Sequence, residues 1–325
     1  MECMHRRHAK SRRFHKREWL LIVLAAGIVA VSAVAMTYRT PPATSSWVRV
    51  SGNALFGTGD FYMMKYLASC DEGGKPLEAP LEPTGGYDDL VASANSGSCI
   101  AVNGKSVVSV AGAPPLVDTS QGKAEFYCSS IGAHLMSNAE WQTAAWDIEN
   151  VGSNWSGGEP GVGYIYSGHN DIAPRMALAA SSSDADGYYG ERNQGGSQRR
   201  TLALSDGEVV WDLAGNIWEW TSDDIEGKDA PRDAVPGPRW REFADITNWG
   251  AFAPQFIGPS DPLWNSSSGI GEIYSDGIPS NDTVYAFMRG GTMDYLGTAG
   301  IESLGLFNPP GNSFDAVGFR CARPA

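Results

Sequence analysis

The C-terminal stretch Arg289 to Arg323, RGGTMDYLGTAGIESLGLFNPPGNSFDAVGFRCAR, constrains this chain more than any other. Two kinds of position interleave in it. Gly290, Gly291, Gly300, Asn308, Pro309, Pro310, Gly318, Phe319 and Cys321 read as a frame. Glycines open backbone conformations closed to other residues, prolines fix turns, and Phe319 brings a large apolar face. Asp294, Tyr295, Thr298, Glu302, Gly305, Phe307, Phe314, Asp315 and Ala316 follow no burial logic. From Leu304 to Phe307 the two kinds alternate, which predicts a strand with Leu304 and Leu306 inward and Gly305 and Phe307 outward. The parity breaks between Ile301 and Leu304, so a bulge or turn is expected there.

With 325 residues, 39 of them glycine and 11 tryptophan, the chain reads as globular and loop-rich rather than as a helical bundle. Its charge is divided. Residues 1–39 carry a net +6, and residues 40–325 carry −19 of the overall −13. An acidic body repels phosphate, which argues against nucleic acid as a partner. The basic tip, residues 1–18, precedes the apolar run Trp19 to Met36. Eighteen residues at helical rise span about 27 Å, enough for a bilayer core, and the basic flank stays cytoplasmic. The run reads as a retained signal anchor or as a signal peptide cleaved after Ala35, in the A-x-A sequence Ala33-Val34-Ala35. Either reading exports the body, to the cell surface if anchored or as a secreted protein if cleaved. Residues 37–46 form a Pro/Ser/Thr-containing linker, and the globular domain begins near Trp47.

Cys3 falls on the cytoplasmic side. Cys70, Cys99, Cys128 and Cys321 remain for an oxidising compartment, where an even count suggests bridges with three possible connectivities. Phe61 to Tyr66 reads as a strand. Asp118-Thr119-Ser120 offers caps for a helix through Cys128, ending by Gly132. Ser137-Asn138-Ala139-Glu140 is a capping box opening a second helix with Trp141, Ala144, Ala145 and Ile148 on one face. Long glycine- and serine-rich connections are expected over 152–200 and 223–282.

The pattern RGGT, AGI, SLGLFN, PPGNS and VGFRCAR resembles the variable region of target proteins diversified by retroelements. The body is similar to the formylglycine-generating-enzyme (sulfatase-modifying factor) type of C-type-lectin-like fold, strongest at 122–222 and 285–323. The resemblance implies an α+β, loop-rich domain over 47–325, with its variable region at 289–323. It also implies that the scattered positions descend from template asparagine codons mutated at adenine. An AAC codon randomised at both adenines becomes NNC, which admits every residue of the scattered set except Glu302. The same resemblance pairs Cys128 with Cys321, leaving Cys70 for Cys99. In DLAGNIWEW it implies structural calcium held by the Asp212 and Glu219 carboxylates and the Gly215 and Ile217 carbonyls, hard oxygen donors all.

Enzymes of this type use a copper-binding cysteine pair after the RGGS element. Aligning that element on Arg289 to Thr292 puts Tyr295 and Gly300 at those positions, so no copper and no thiol chemistry are expected. The exported body has only His134 and His169, too few and too dispersed for an imidazole metal site, and His169 in YSGHND reads as a loop residue. No nucleophile elbow, P-loop or dinucleotide fingerprint is present. The function implied is display of a variable surface to a protein or glycan ligand outside the cell, with the membrane as a second partner through 19–36. Alternative readings are an oxidase of the same superfamily and a structural surface or pilus-associated protein.

Overall fold

The structure, a computed structural model, describes residues 45–72 and 105–325. The basic tip, the apolar run 19–36, most of the linker and Cys99 lie outside the described residues. Among the described residues no helix is long and apolar enough to cross a membrane.

Two α-helices form where the caps stand. Helix α1, Gln121–Ser130, starts at Ser120, whose side chain accepts the Lys123 N–H. Helix α2, Asn138–Glu149, opens on the expected capping box: Ser137 Oγ accepts the Glu140 N–H at 3.2 Å and Glu140 Oε2 accepts the Ser137 N–H at 2.8 Å. Its Trp141, Ala144, Ala145 and Ile148 are fully buried. The Trp141 indole N–H donates to the Ile301 carbonyl at 2.8 Å, so α2 is keyed directly into the C-terminal stretch.

Among the described residues the other regular elements are 3-10 turns and mostly short strands: β1 Trp47–Val50, β2 Phe61–Met64, β3 Ser69–Glu72, β4 Lys105–Val108, β5 His134–Leu135, β6 Thr201–Ala203, β7 Val209–Trp211 and β8 Trp218–Glu226. After them come β9 Arg239–Arg241, β10 Ile273–Ser275, β11 Val284–Arg289, β12 Leu304–Leu306, β13 Val317–Phe319 and β14 Cys321–Pro324. One sheet runs β1-β2-β14-β5 and a larger one β13-β8-β11-β12-β10-β9; β3 with β4 and β6 with β7 form small hairpin pairs. β13 lies parallel to β8 and β12 parallel to β10, while β11 is antiparallel to both β8 and β12. This sheet-rich arrangement with two helices agrees with the C-type-lectin-like expectation. The largest core cluster packs around α2, with Val48, Met63, Phe287 and Leu304; a second packs around α1, with Trp218, Trp220, Met288 and Phe319, and smaller clusters flank them.

The Cys128–Cys321 disulfide is present and ties α1 to β14. Cys70 is disulfide-bonded as well; Cys99, its expected partner, lies outside the described residues. Two expectations need correcting. The strand at Phe61 stops at Met64, because the Lys65–Tyr66 backbone bends away. The stretch 223–282 is not merely connection: it holds the end of β8 and all of β9 and β10, each stitched into the large sheet. The parity break before Leu304 is a turn at Ile301–Glu302.

Candidate binding surface

β8 alternates. Trp218 and Trp220 point to one side, and Glu219 to the other, where Arg320 meets it. Trp218 is buried and stacks on Trp240 of β9, with ring centres 6.2 Å apart and planes 5° from parallel. Tyr295 meets Trp218 and Trp240 edge-on at 5.6 and 5.2 Å. Phe307 meets Trp218 at 6.2 Å and Tyr274 of β10 at 4.9 Å, and Tyr274 closes the ring set against Trp240 at 5.4 Å. Such pairs contribute about 0.5–1.5 kcal/mol each beyond burial. Trp240, Tyr274, Tyr295 and Phe307 are all half-buried, so the cluster shows ring edges to solvent. Trp240 and Tyr274 were missed by sequence reasoning. Their only marks are the three-residue alternations Arg-Trp-Arg and Ile-Tyr-Ser, too short to stand out.

Most of the scattered C-terminal positions border this surface. Asp294 is exposed at its rim, 3.9 Å from an Arg175 nitrogen. Burial and the neighbouring Asp294 carboxylate push the Tyr295 hydroxyl up, so it stays a neutral phenol. Thr298 is half-buried, and its hydroxyl donates to the Tyr295 carbonyl at 2.7 Å, closing a 3-10 turn over Leu296–Thr298. Farther along the same face Phe314 sits edge-on to Trp220 at 6.3 Å. Asp315 is exposed, and the half-buried Ala316 fixes the edge of the sheet by accepting the Trp218 N–H. A cleft of about 340 Å³ opens beside this surface, with Leu296 and Gly297 on one wall and Tyr164, Ser167, Asn170 and Ser266 among its other lining residues.

Two scattered positions are not surface side chains. Gly305 shares the face of Phe307, as parity requires, but the Phe307 ring folds over it: a Cβ there would stand 2.7 Å from that ring. Glu302 is fully buried, with one carboxylate oxygen 3.6 Å from Arg289 Nη1. The turn at Ile301–Glu302 directs it into the core, where desolvation is offset by the guanidinium rather than by water. Glu302 therefore leaves the binding set.

The calcium expectation does not fit the arrangement found. Arg200 grips the Asp212 carboxylate through Nε and Nη2, both at 2.7 Å, and Arg320 grips Glu219 through Nε at 2.6 Å and Nη2 at 2.8 Å. All four side chains are essentially buried. Two bidentate guanidinium pairs already balance the two carboxylates, so a dication among them would add uncompensated charge in a desolvated core. Gly215 and Asn216 still form a left-handed turn, at φ 71° and 66°, and they belong to packing. His134 is exposed and pairs with Glu140 at 2.7 Å. His169, though in a loop, is fully buried.

The family described as the sulfatase-modifying factor enzyme 1-like domain (FGE-sulfatase) matches residues 58–325. The chain belongs to this family. Within it, the chain is similar to the Inactive C-alpha-formylglycine-generating enzyme 2 of Bos taurus, 26% identical over 137 residues that cover 40% of each protein. The match thus spans less than half the length of that relative. Among solved structures, the Major Tropism Determinant P3c variant aligns over 87% of this chain and 74% of its own at 14% identity and a TM-score of 0.32. Treponema denticola variable protein 1 aligns over 87% of this chain and 100% of its own at 13% identity and a TM-score of 0.29. Both superpositions are too loose to carry a conclusion.

Proposed function

We propose that this FGE-sulfatase-type domain is a ligand-binding display protein. Its specificity resides in Asp294, Tyr295, Thr298, Phe307, Phe314, Asp315 and Ala316, and these positions are exchanged by a diversity-generating retroelement. The observation that carries the reading is the division of labour in 289–323. The frame residues Gly290, Gly291, Gly300, Gly318, Phe319 and Cys321 are buried, while the proposed binding positions are exposed or half-buried along one aromatic face. Tyr295, Phe307 and Phe314 offer rigid ring area at low entropic cost, as binding hot spots do. Protein or glycan ligands suit such a surface.

Residues 19–36 would anchor the body, or export it if cleaved. Export is supported by Cys70, Cys128 and Cys321, all disulfide-bonded, which is chemistry of an oxidising compartment. The same bonding speaks against thiol-dependent oxidation, since no described cysteine retains a thiolate. Gly300, at one aligned cysteine position, adds a steric reason: a Cβ there would lie 2.3 Å from the Ile270 backbone.

The test is the DNA flanking the gene. A reverse-transcriptase gene and a template repeat of this 3′ end are expected, with repeat-to-gene mismatches almost confined to template adenines. No repeat, or mismatches spread over all four bases, overturns the reading.

A further inference from the structure

His169 and Glu191 are buried together in a part of the domain that the proposed binding surface does not use. His169 is 0% exposed and Glu191 5%. His169 Nε2 lies 3.2 Å from the Met176 carbonyl and donates its proton there, which leaves a lone pair on Nδ1. Nδ1 stands at ion-pair distance, 2.7 Å, from Glu191 Oε1 without hydrogen-bond geometry, and the buried Glu191 Oε2 has no hydrogen-bond partner. Two acceptors held this close in a desolvated site need a positive charge between them.

Asp171 supplies the third donor. One donor atom each from His169, Asp171 and Glu191 lie within 4.8 Å of one another, near enough for small side-chain shifts to bring all three onto one cation. The Asp171 carboxylate is oriented by the Ala173 N–H at 2.8 Å, the Asn193 amide at 2.7 Å and the Gln198 side chain. A histidine that donates its other ring N–H to a backbone carbonyl, beside hydrogen-bonded carboxylates, is the outer arrangement metal ligands have. Two carboxylates and a neutral imidazole neutralise a dication, and the imidazole nitrogen selects a transition metal over calcium or magnesium, which take oxygen.

We propose that His169, Asp171 and Glu191 bind a divalent transition-metal cation of the zinc class. The metal would fasten two loops beneath the variable edge. The His169 carbonyl accepts the Asn216 N–H at 2.6 Å, and the Asn170 carbonyl accepts the Leu296 N–H at 2.7 Å, next to Tyr295. Metal binding here therefore orders the backbone on which the Leu296–Thr298 turn rests.

The experiment takes the untagged full chain in detergent, strips it with EDTA and titrates zinc chloride. It compares the wild type with the isosteric Glu191→Gln and with Asp171→Asn, whose side chain is only half-buried. Cys3, His5 and His8 of the basic tip can also take up zinc, so the difference between proteins is the readout. The wild type should hold one more zinc per chain than either variant, and its melting midpoint should rise with zinc concentration. Each variant should bind that zinc about tenfold more weakly or worse, while melting like stripped wild type in EDTA. Cobalt substitution should give the weak visible bands of a nitrogen–oxygen site without thiolate charge transfer. Equal zinc content and equal midpoints in all three proteins, or a shift by calcium and not by zinc, would overturn the proposal. Should Glu191→Gln fail to fold, Asp171→Asn alone decides.

Discussion

Burial of Glu149 against Glu302, which in turn faces the guanidinium of Arg289, sets the proton balance of this part of the core. Both carboxylic acids are fully buried. Burial, and then repulsion from Glu302, pushes the Glu149 carboxyl well above the usual range. Burial likewise pushes Glu302 up to about 7, against the pull of Arg289. One cation cannot balance two anions in a desolvated site, so the pair keeps a proton. The sign follows from linkage. Below the ordinary value of 4.5 both folded and unfolded chains hold these protons, and the contribution to stability is fully present. Between there and about 7 the unfolded chain releases a proton that the folded chain keeps, so stability falls as pH rises. Replacing Glu302 by Gln should remove much of that slope: relative to wild type, Glu302→Gln should gain stability between pH 5 and pH 7.5 in urea titrations. An offset identical at both pH values would contradict the assignment. Phe307 gives a second expectation at this scale. It is half-buried and edge-on to its neighbours, so Phe307→Ala should cost about 1–2 kcal/mol, below the 3–5 of a fully buried phenylalanine. A larger loss in denaturant titration would mean that the ring is core and not binding surface.

The elements that hold the variable stretch are joined covalently. The Cys128–Cys321 bond closes a separation of 193 residues between α1 and β14. On the chain-entropy account such a closure contributes about 5 kcal/mol. The double variant Cys128→Ser, Cys321→Ser should therefore lose stability by about 2–5 kcal/mol in equilibrium unfolding; a change below 1 would show that strand pairing alone fixes β14. Both helices were legible because their starts carry local chemistry: Ser120 and the Ser137/Glu140 box act within three residues of themselves. β9 and β10 were not legible. Each has three residues, and each owes its place to partners 30 or more positions away, with Tyr274 set beside Trp240 and Gly305. Glu302 was misjudged for a related reason, and the burial of His169, correctly read as a loop residue, left no mark in the sequence. Polar residues in turn-rich sequence read as exposed, and only the tertiary structure shows that Glu302 has an arginine and a second acid beside it.

At the scale of the whole molecule the acidic composition and disulfide bonding were readable from the sequence, as was the family frame. Which carboxylates meet arginines was not: Asp212 with Arg200 and Glu219 with Arg320 span 12 and 101 positions. The order of the last strands has a further consequence. The positions proposed to be exchanged end at Ala316, and β13 and β14 follow them in the chain. β13 enters the large sheet beside β8, and β14 enters the smaller one between β2 and β5, bringing Cys321 with it. An insertion or deletion during copying that shifts the reading frame within 293–316 would therefore give a chain lacking one strand from each sheet and half of the disulfide. The open edges invite aggregation, and the unfolded chain is exposed to proteases. The exchange proposed above, placed ahead of the closing strands, would thus be screened by folding: a message must stay in frame through Cys321 to give a body with both strands and the disulfide.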